Sequence, residues 1–149
     1  MAEQEYKTIL VPVDGSEAAE KALAKAVEVA KRNHAHLDIL NVIDLKQFSV
    51  SFAGMLNASG DVVYKTFEDV DKYLSELQAR VKKQGLEDVD VHARFGSPRT
   101  VIAKDFPEDH QVDLIIMGPT GLNAVERVFV GAVTDYVIRA AACDVIIAR

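Results

Sequence analysis

The stretch that decides the fold is YKTILVPV, Tyr6 to Val13, followed at once by Asp14-Gly15-Ser16 and then by a run of alanines, leucine and valine at helical spacing. A short, nearly continuous apolar segment rich in β-branched residues suits a strand covered on both faces, as in a parallel sheet. Ser16 is a good helix N-cap, and Glu17 sits well in a first helical turn. From Ala18 to Lys31, Ala19, Ala22, Leu23, Ala26, Val27 and Ala30 recur on one face, with Glu20, Lys21, Lys25 and Glu28 on the others. The spacing predicts an amphipathic helix.

The same alternation continues along the chain. Leu37 to Ile43 (LDILNVI) reads as the second strand and Val62 to Gln84 as a long helix. Its stripe is Val63, Phe67, Val70, Leu74, Leu77 and Val81, with Gly85 as the stop. Val89 to Phe95 alternates as a third strand. Gly96-Ser97-Pro98 supplies a turn, an N-cap and a proline at the first helical position, and the helix from Arg99 to Phe106 is expected to end before Pro107. Asp113 to Met117 reads as a buried strand, about Gly131 to Ala142 as the last helix, and Asp144 to Ala148 as the last strand. Strands that alternate with helices imply parallel strands joined by right-handed crossovers. The expectation is one three-layer α/β domain over residues 1–149 with a five-stranded parallel sheet. Asp44 to Gly60 has no period. It carries Phe48, Phe52, Met55 and Leu56 and is read as a short helix, a lid or a partner contact.

Composition narrows the function classes. The chain has 149 residues, 49% of them hydrophobic and 27% charged, the balance of an ordinary globular domain. A net charge of −6 argues against general nucleic-acid binding, which needs clustered Lys and Arg. Cys143 is the only cysteine, so no intramolecular disulfide can form. Met1 to Lys7 lacks the apolar core of a signal peptide, and no apolar run approaches the roughly 18 residues of a membrane-spanning helix. These readings lead to the expectation of a cytoplasmic protein with no membrane partner.

In open parallel sheets, ligands bind beyond the carboxyl ends of the strands, where the strand order reverses. The residues just after the strands are Asp14, the region Val42 to Asp44, and Gly118. The strongest local signal is Gly118-Pro119-Thr120-Gly121, then nine residues, then Gly131-Ala132-Val133-Thr134. Glycines there either make tight turns or let the backbone approach a ligand. A helix opening at Gly131 offers unpaired N–H groups to phosphate oxygens. Neither a Walker A loop nor G-x-G-x-x-G occurs, so an ordinary P-loop NTPase or a dinucleotide dehydrogenase is not supported. His34 and His36 form H-x-H without an evident third ligand and are read as a solvated turn, and His92 and His110 as isolated surface residues. Arg127, inside the glycine segment, is read as solvent-facing in preference to a phosphate contact, and Cys143 as a small buried residue in preference to a nucleophile.

Ile9 to Ser16, Gly96-Ser97-Pro98 with Val101-Ile102, Asp113 to Gly121, and Gly131 to Arg149 together resemble the universal stress protein family. The resemblance covers nearly the whole chain except Asp44 to Gly60. It implies a Rossmann-like fold of the adenine nucleotide alpha hydrolase type, with strand order 3-2-1-4-5. The family's ATP-binding branch has G-x2-G-x9-G followed by Ser or Thr, and Gly118, Gly121 and Gly131 match in residue and spacing. By that resemblance Pro12, Val13 and Asp14 line the nucleotide, Val42 lies near the adenine, and Met117 and Gly118 flank the ribose. Gly121 and Gly131, Ala132, Val133 and Thr134 hold the phosphates, and Asp14 contacts ribose or a phosphate-bound Mg²⁺. Ala132 departs from the pattern, because the ATP-binding branch has a hydroxyl there. The resemblance further implies a homodimer formed through the last strand. The expected function is ATP binding as a regulatory or signalling module in stress response, with little or no hydrolysis. The alternatives are a dimeric interaction protein without nucleotide, motivated by Ala132, and a slow ATPase.

Overall fold

The computed structural model describes residues 5–44, 59–120 and 130–149, with backbone alone for 59–64. Phe48, Phe52, Met55, Gly121 and Arg127 therefore lie outside the described residues. The described elements are β1 (Thr8–Pro12), α1 (Glu17–Asn33), β2 (His36–Ile43), α2 (Ser59–Lys83), β3 (Val89–Phe95), a composite helix α3 (Pro98–His110), β4 (Leu114–Met117), α4 (Ala132–Ala140) and β5 (Asp144–Ile147). The five strands form one sheet in the order β3-β2-β1-β4-β5, with every pairing parallel. The expected fold class and strand order are what the structure has.

Strand alternation sorts the core into two layers. Ile9, Val11, Leu37, Ile39, Leu114 and Ile116 face α1 and α2 and pack with Ala22, Ala26, Leu74 and Leu77. Leu10, Leu40, Ile115 and Met117 face α3 and α4 and pack with Ile102, Phe106 and Val137. β1 and β4 lie in the middle of the sheet, covered on both faces, which is why their sequences are almost uninterrupted apolar runs. Asp113 anchors the entry to β1, accepting hydrogen bonds from the Lys7 and Thr8 amides at 2.9 and 3.1 Å.

Three elements differ from expectation. The third helix does not stop before Pro107. It runs as α-helical Pro98–Thr100, a π-helical segment Val101–Asp105, and α-helical Phe106–His110. The wider π turn, closed by the Phe106 amide on the Val101 carbonyl, lets a residue without an N–H follow with no break in direction. Phe67 does not continue the buried stripe of α2. It is 37% exposed and stacks on Phe95, with ring centroids 5.9 Å apart. The last helix is shorter at its carboxyl end, because Ala141 has an extended backbone.

Candidate functional site

The sheet order reverses between β1, which continues to β2, and β4, which continues to β5. Such a reversal separates the crossovers on either side and leaves a crevice beyond the carboxyl ends of the two strands. Three segments meet there.

The first is the β1–α1 turn. Val13 is buried and its amide donates to the Leu40 carbonyl at 2.8 Å. The Asn41 side-chain amide donates to the Val13 carbonyl at 2.8 Å, tying the end of β1 to β2. Asp14 is exposed, and its Oδ1 accepts from the Ser16 amide at 3.0 Å. Gly15 follows with φ +84°, a left-handed conformation that favours glycine. Ser16 then caps α1, its Oγ accepting from the Ala19 amide at 3.1 Å. The buried hydroxyl of Tyr73, from α2, makes no hydrogen bond among the described residues. Its pKa is raised by burial and by the Glu20 charge, with the nearby Gly15 backbone partly offsetting.

The second segment leaves β4. Met117 and Gly118 are buried, and the Met117 carbonyl accepts from the Ala148 amide beyond β5 at 2.9 Å. A methyl group on Gly118 would lie 2.9 Å from the Ala18 Cβ and 3.0 Å from the Ala18 carbonyl oxygen. Gly118 thus sits against the first turn of α1, and only a hydrogen fits between the end of β4 and that helix.

The third segment is the start of α4. The Gly131 amide donates to the Pro119 carbonyl at 2.7 Å. The Thr134 hydroxyl, expected at the phosphates, donates to the Gly118 carbonyl at 2.9 Å, and Thr134 is only 3% exposed. Its proton fastens α4 to the end of β4. The N-cap position is Gly131, which has no side chain to cap the helix, and no cap bond is made among the described residues. The first-turn amides of α4 therefore open beside Gly118, with Ala132 exposed and Val133 half-buried. An uncapped N-terminus carries partial positive charge and favours anionic oxygens.

Gly118 is the hinge of this arrangement, touching α1 on one side and bonded to α4 on the other. Pro12 is half-buried at the end of β1 and pairs with Leu40. Val42 lies two residues beyond Leu40 on the same face, half-buried against the α3–α4 core, at the same end of the sheet. The β1 turn, Met117-Gly118 and the α4 start are thus brought together, Val42 is one strand away, and Gly121 falls outside the described residues. Sequence reading missed Asn41, Ala18 and Tyr73. Asn41 in an otherwise apolar strand was the one available signal, since a polar side chain there needs a partner.

Fold and strand order define the class: a doubly wound α/β domain whose switch point carries the Asp14 turn on one side and a helix that starts at a glycine on the other. The chain belongs to the universal stress protein family, whose model matches residues 5–149. A Staphylococcus epidermidis relative, named "Putative universal stress protein", is 43% identical over 149 residues, spanning 97% of this chain and 84% of that protein. The solved structure of the hypothetical protein MJ0577 is similar with a TM-score of 0.82 and 26% identity, over 96% of this chain and 95% of that one. A universal stress protein from Archaeoglobus fulgidus, solved in complex with dAMP, is similar with a TM-score of 0.70 over 97% of this chain and 98% of that one. At 22% identity that likeness is one of fold.

Proposed function

We propose that this protein binds an adenine nucleotide, ATP, in the crevice between the β1–α1 turn and the start of α4, and serves as a nucleotide-responsive regulatory module in stress response. One observation carries the reading: α4 begins at a glycine without a side-chain cap, directly beside the end of β4. α1, by contrast, is capped by its own Ser16. Backbone amides of Ala132 and Val133, together with the glycine-rich segment, would take the phosphates. Asp14 has Oδ1 tied to Ser16. Its other oxygen would meet a ribose hydroxyl or a phosphate-bound Mg²⁺, a hard cation suited to one carboxylate and phosphate oxygens. Pro12, Val13, Val42 and Met117 would supply the apolar walls for base and sugar, with Gly118 close beneath. The family relative in complex with dAMP adds support for this ligand class.

A regulatory role requires that ATP prefer one conformation or assembly over another. The assembly proposed here is a homodimer through β5. Among the described residues that strand is a sheet edge paired with β4 alone, and Val145, Ile146 and Ile147 are all half-buried. Such an edge invites a second strand. Equilibrium dialysis against labelled ATP at millimolar concentration with Mg²⁺ tests the binding. Retention that weakens in an Asp14→Ala variant is expected, and no retained nucleotide would reject the proposal.

A further inference from the structure

At the opposite end of the sheet, the start of β2 and the start of β3 with the preceding Asp88 gather five ionisable side chains that the proposed nucleotide site does not use. Asp38 is 1% exposed, an unusual place for a carboxylate. Its Oδ1 lies 3.0 Å from His36 Nε2 and 2.8 Å from His92 Nε2. His36 Nε2 also lies 3.4 Å from Asp90 Oδ2, while the other nitrogen of the ring, Nδ1, lies 2.6 Å from Asp88 Oδ1. The ligand atoms of His36, Asp38 and Asp90 all fall within 4.8 Å of one another.

We infer that His36 Nε2, Asp38 and Asp90 form a binding site for a divalent transition-metal ion of the Zn²⁺ type, with Asp88 and His92 as its supporting shell. Metal–ligand distances of roughly 2.0–2.2 Å place ligand atoms roughly 3.0–3.5 Å apart, and the 3.0 and 3.4 Å separations here match that spacing. The supporting contacts have the form that metal sites use. A ligating histidine gives its second ring N–H to a carboxylate, which fixes the tautomer and turns the other nitrogen to the ion. Asp88 is so placed on His36. Ligating carboxylates are themselves hydrogen-bonded, as Asp38 is by His92. Asp90 is largely exposed, with 64% of its side chain accessible, so the site opens to water on one side and leaves coordination positions for solvent.

A second grouping, Asp38 with His92 and His110, shares the buried carboxylate. It fits less well, because Arg94 Nη2 lies 3.4 Å from His110 Nε2 and brings a fixed positive charge to that side. Arg94 also lies over the Phe106 ring, which stacks on His110.

The test is competition for Zn²⁺ between the EDTA-treated full-length protein and a chromophoric chelator, repeated with Co²⁺ for its visible ligand-field bands. The expected result is one Zn²⁺ per chain and a Co²⁺ spectrum of low symmetry. Affinity should fall at least tenfold in Asp90→Asn and in His36→Gln. It should fall by about 10–100-fold in Asp88→Asn, which touches no metal. It should stay unchanged in His34→Gln. Asp90 is exposed, so metal-free Asp90→Asn should unfold at the wild-type midpoint, separating lost ligation from lost folding. No saturable Zn²⁺ uptake would overturn the assignment. So would affinity that survives Asp90→Asn, or that is lost in His110→Gln instead.

Discussion

Gly118→Ala is the sharpest perturbation of the junction on which the crevice depends. The new Cβ would meet Ala18 Cβ at 2.9 Å, the Ala18 carbonyl oxygen at 3.0 Å and its carbonyl carbon at 3.1 Å. Relaxed carbon–carbon contacts sit at about 3.5–4.0 Å, so the methyl group is several tenths of an ångström too close to three atoms at once. Two of those atoms are backbone in the first turn of α1, which cannot rotate away. The strand end is equally constrained, being paired to β5 and fastened to α4 through Thr134. Overpacking of this kind costs about 1–3 kcal/mol. At about 2–4 °C per kcal/mol for a domain of this size, the melting temperature should fall by about 2–12 °C. Urea denaturation followed by circular dichroism reads the change as a lower midpoint at unchanged slope. Adding Ala18→Gly removes the closest contact but leaves the carbonyl in place, so the double variant should recover part of the loss and no more. A Gly118→Ala protein within about 0.5 kcal/mol of wild type would refute the reasoning. Full recovery in the double variant would show that the α1 backbone is not what limits the approach.

Thr134→Val keeps the shape of the side chain but leaves the buried Gly118 carbonyl without its donor, and should destabilise by about 1–3 kcal/mol in urea, whereas Thr134→Ser should not. Ala132→Ser restores the hydroxyl that the ATP-binding branch carries; a bond of about 1.5–3 kcal/mol to a charged partner should tighten ATP about tenfold or more in equilibrium dialysis. The hydrogen bond to Asp144, then burial, raises the Tyr6 hydroxyl to about 12 from the ordinary 10.0. A raised folded value means that this bond contributes below pH 10.0 and is lost as pH climbs through about 12. Ultraviolet titration should therefore show a tyrosine ionising near pH 12 that disappears in Tyr6→Phe. The Ala148 amide points to β4, so by strand alternation the Val145 and Ile147 amides point outward. Val145→Pro removes one outward donor, and light scattering at micromolar concentration should read a dimer in the wild type and a monomer in the variant.

What was legible in the sequence follows the physics of each signal. Burial on both faces writes itself as a continuous apolar run, so β1 and β4 stand out, and a helix with one buried face writes its period, as α1 does. The π-helical turn at Val101–Asp105 leaves no such mark. It changes the backbone bonding pattern without changing which residues are apolar, and Pro107 alone reads as an end. Phe67 failed for a related reason: spacing places a residue on a face, but the end of that face can hang past the core. The histidines are the plainest case. His34 and His36 are two positions apart in sequence and part company in the fold, His34 in a left-handed helix cap and His36 turned toward Asp38. The residues that complete the cluster, Asp88 just before β3 and Asp90 and His92 within it, lie more than fifty positions away, as the separations of 52 and 54 residues to its hydrogen-bonded members show. Parallel pairing of Asp38 with Asp90 is what brings them together, and no local pattern encodes a register.

The same distinction bears on the missing hydroxyl at Ala132. A motif treats the residue after the last glycine as a binding determinant. In the folded chain the more consequential feature is Gly131, which withholds a cap, and Thr134, whose hydroxyl holds the helix start against the end of β4. Amides at a helix N-terminus belong to the backbone, so replacing Ser or Thr by Ala leaves them and their partial charge intact. On the proposed reading, Ala132 would therefore act on the strength of phosphate binding rather than on whether the backbone amides are offered. That places Ala132→Ser and Thr134→Val on different observables: the first should move affinity with little change in unfolding, and the second should move unfolding whether or not nucleotide is present.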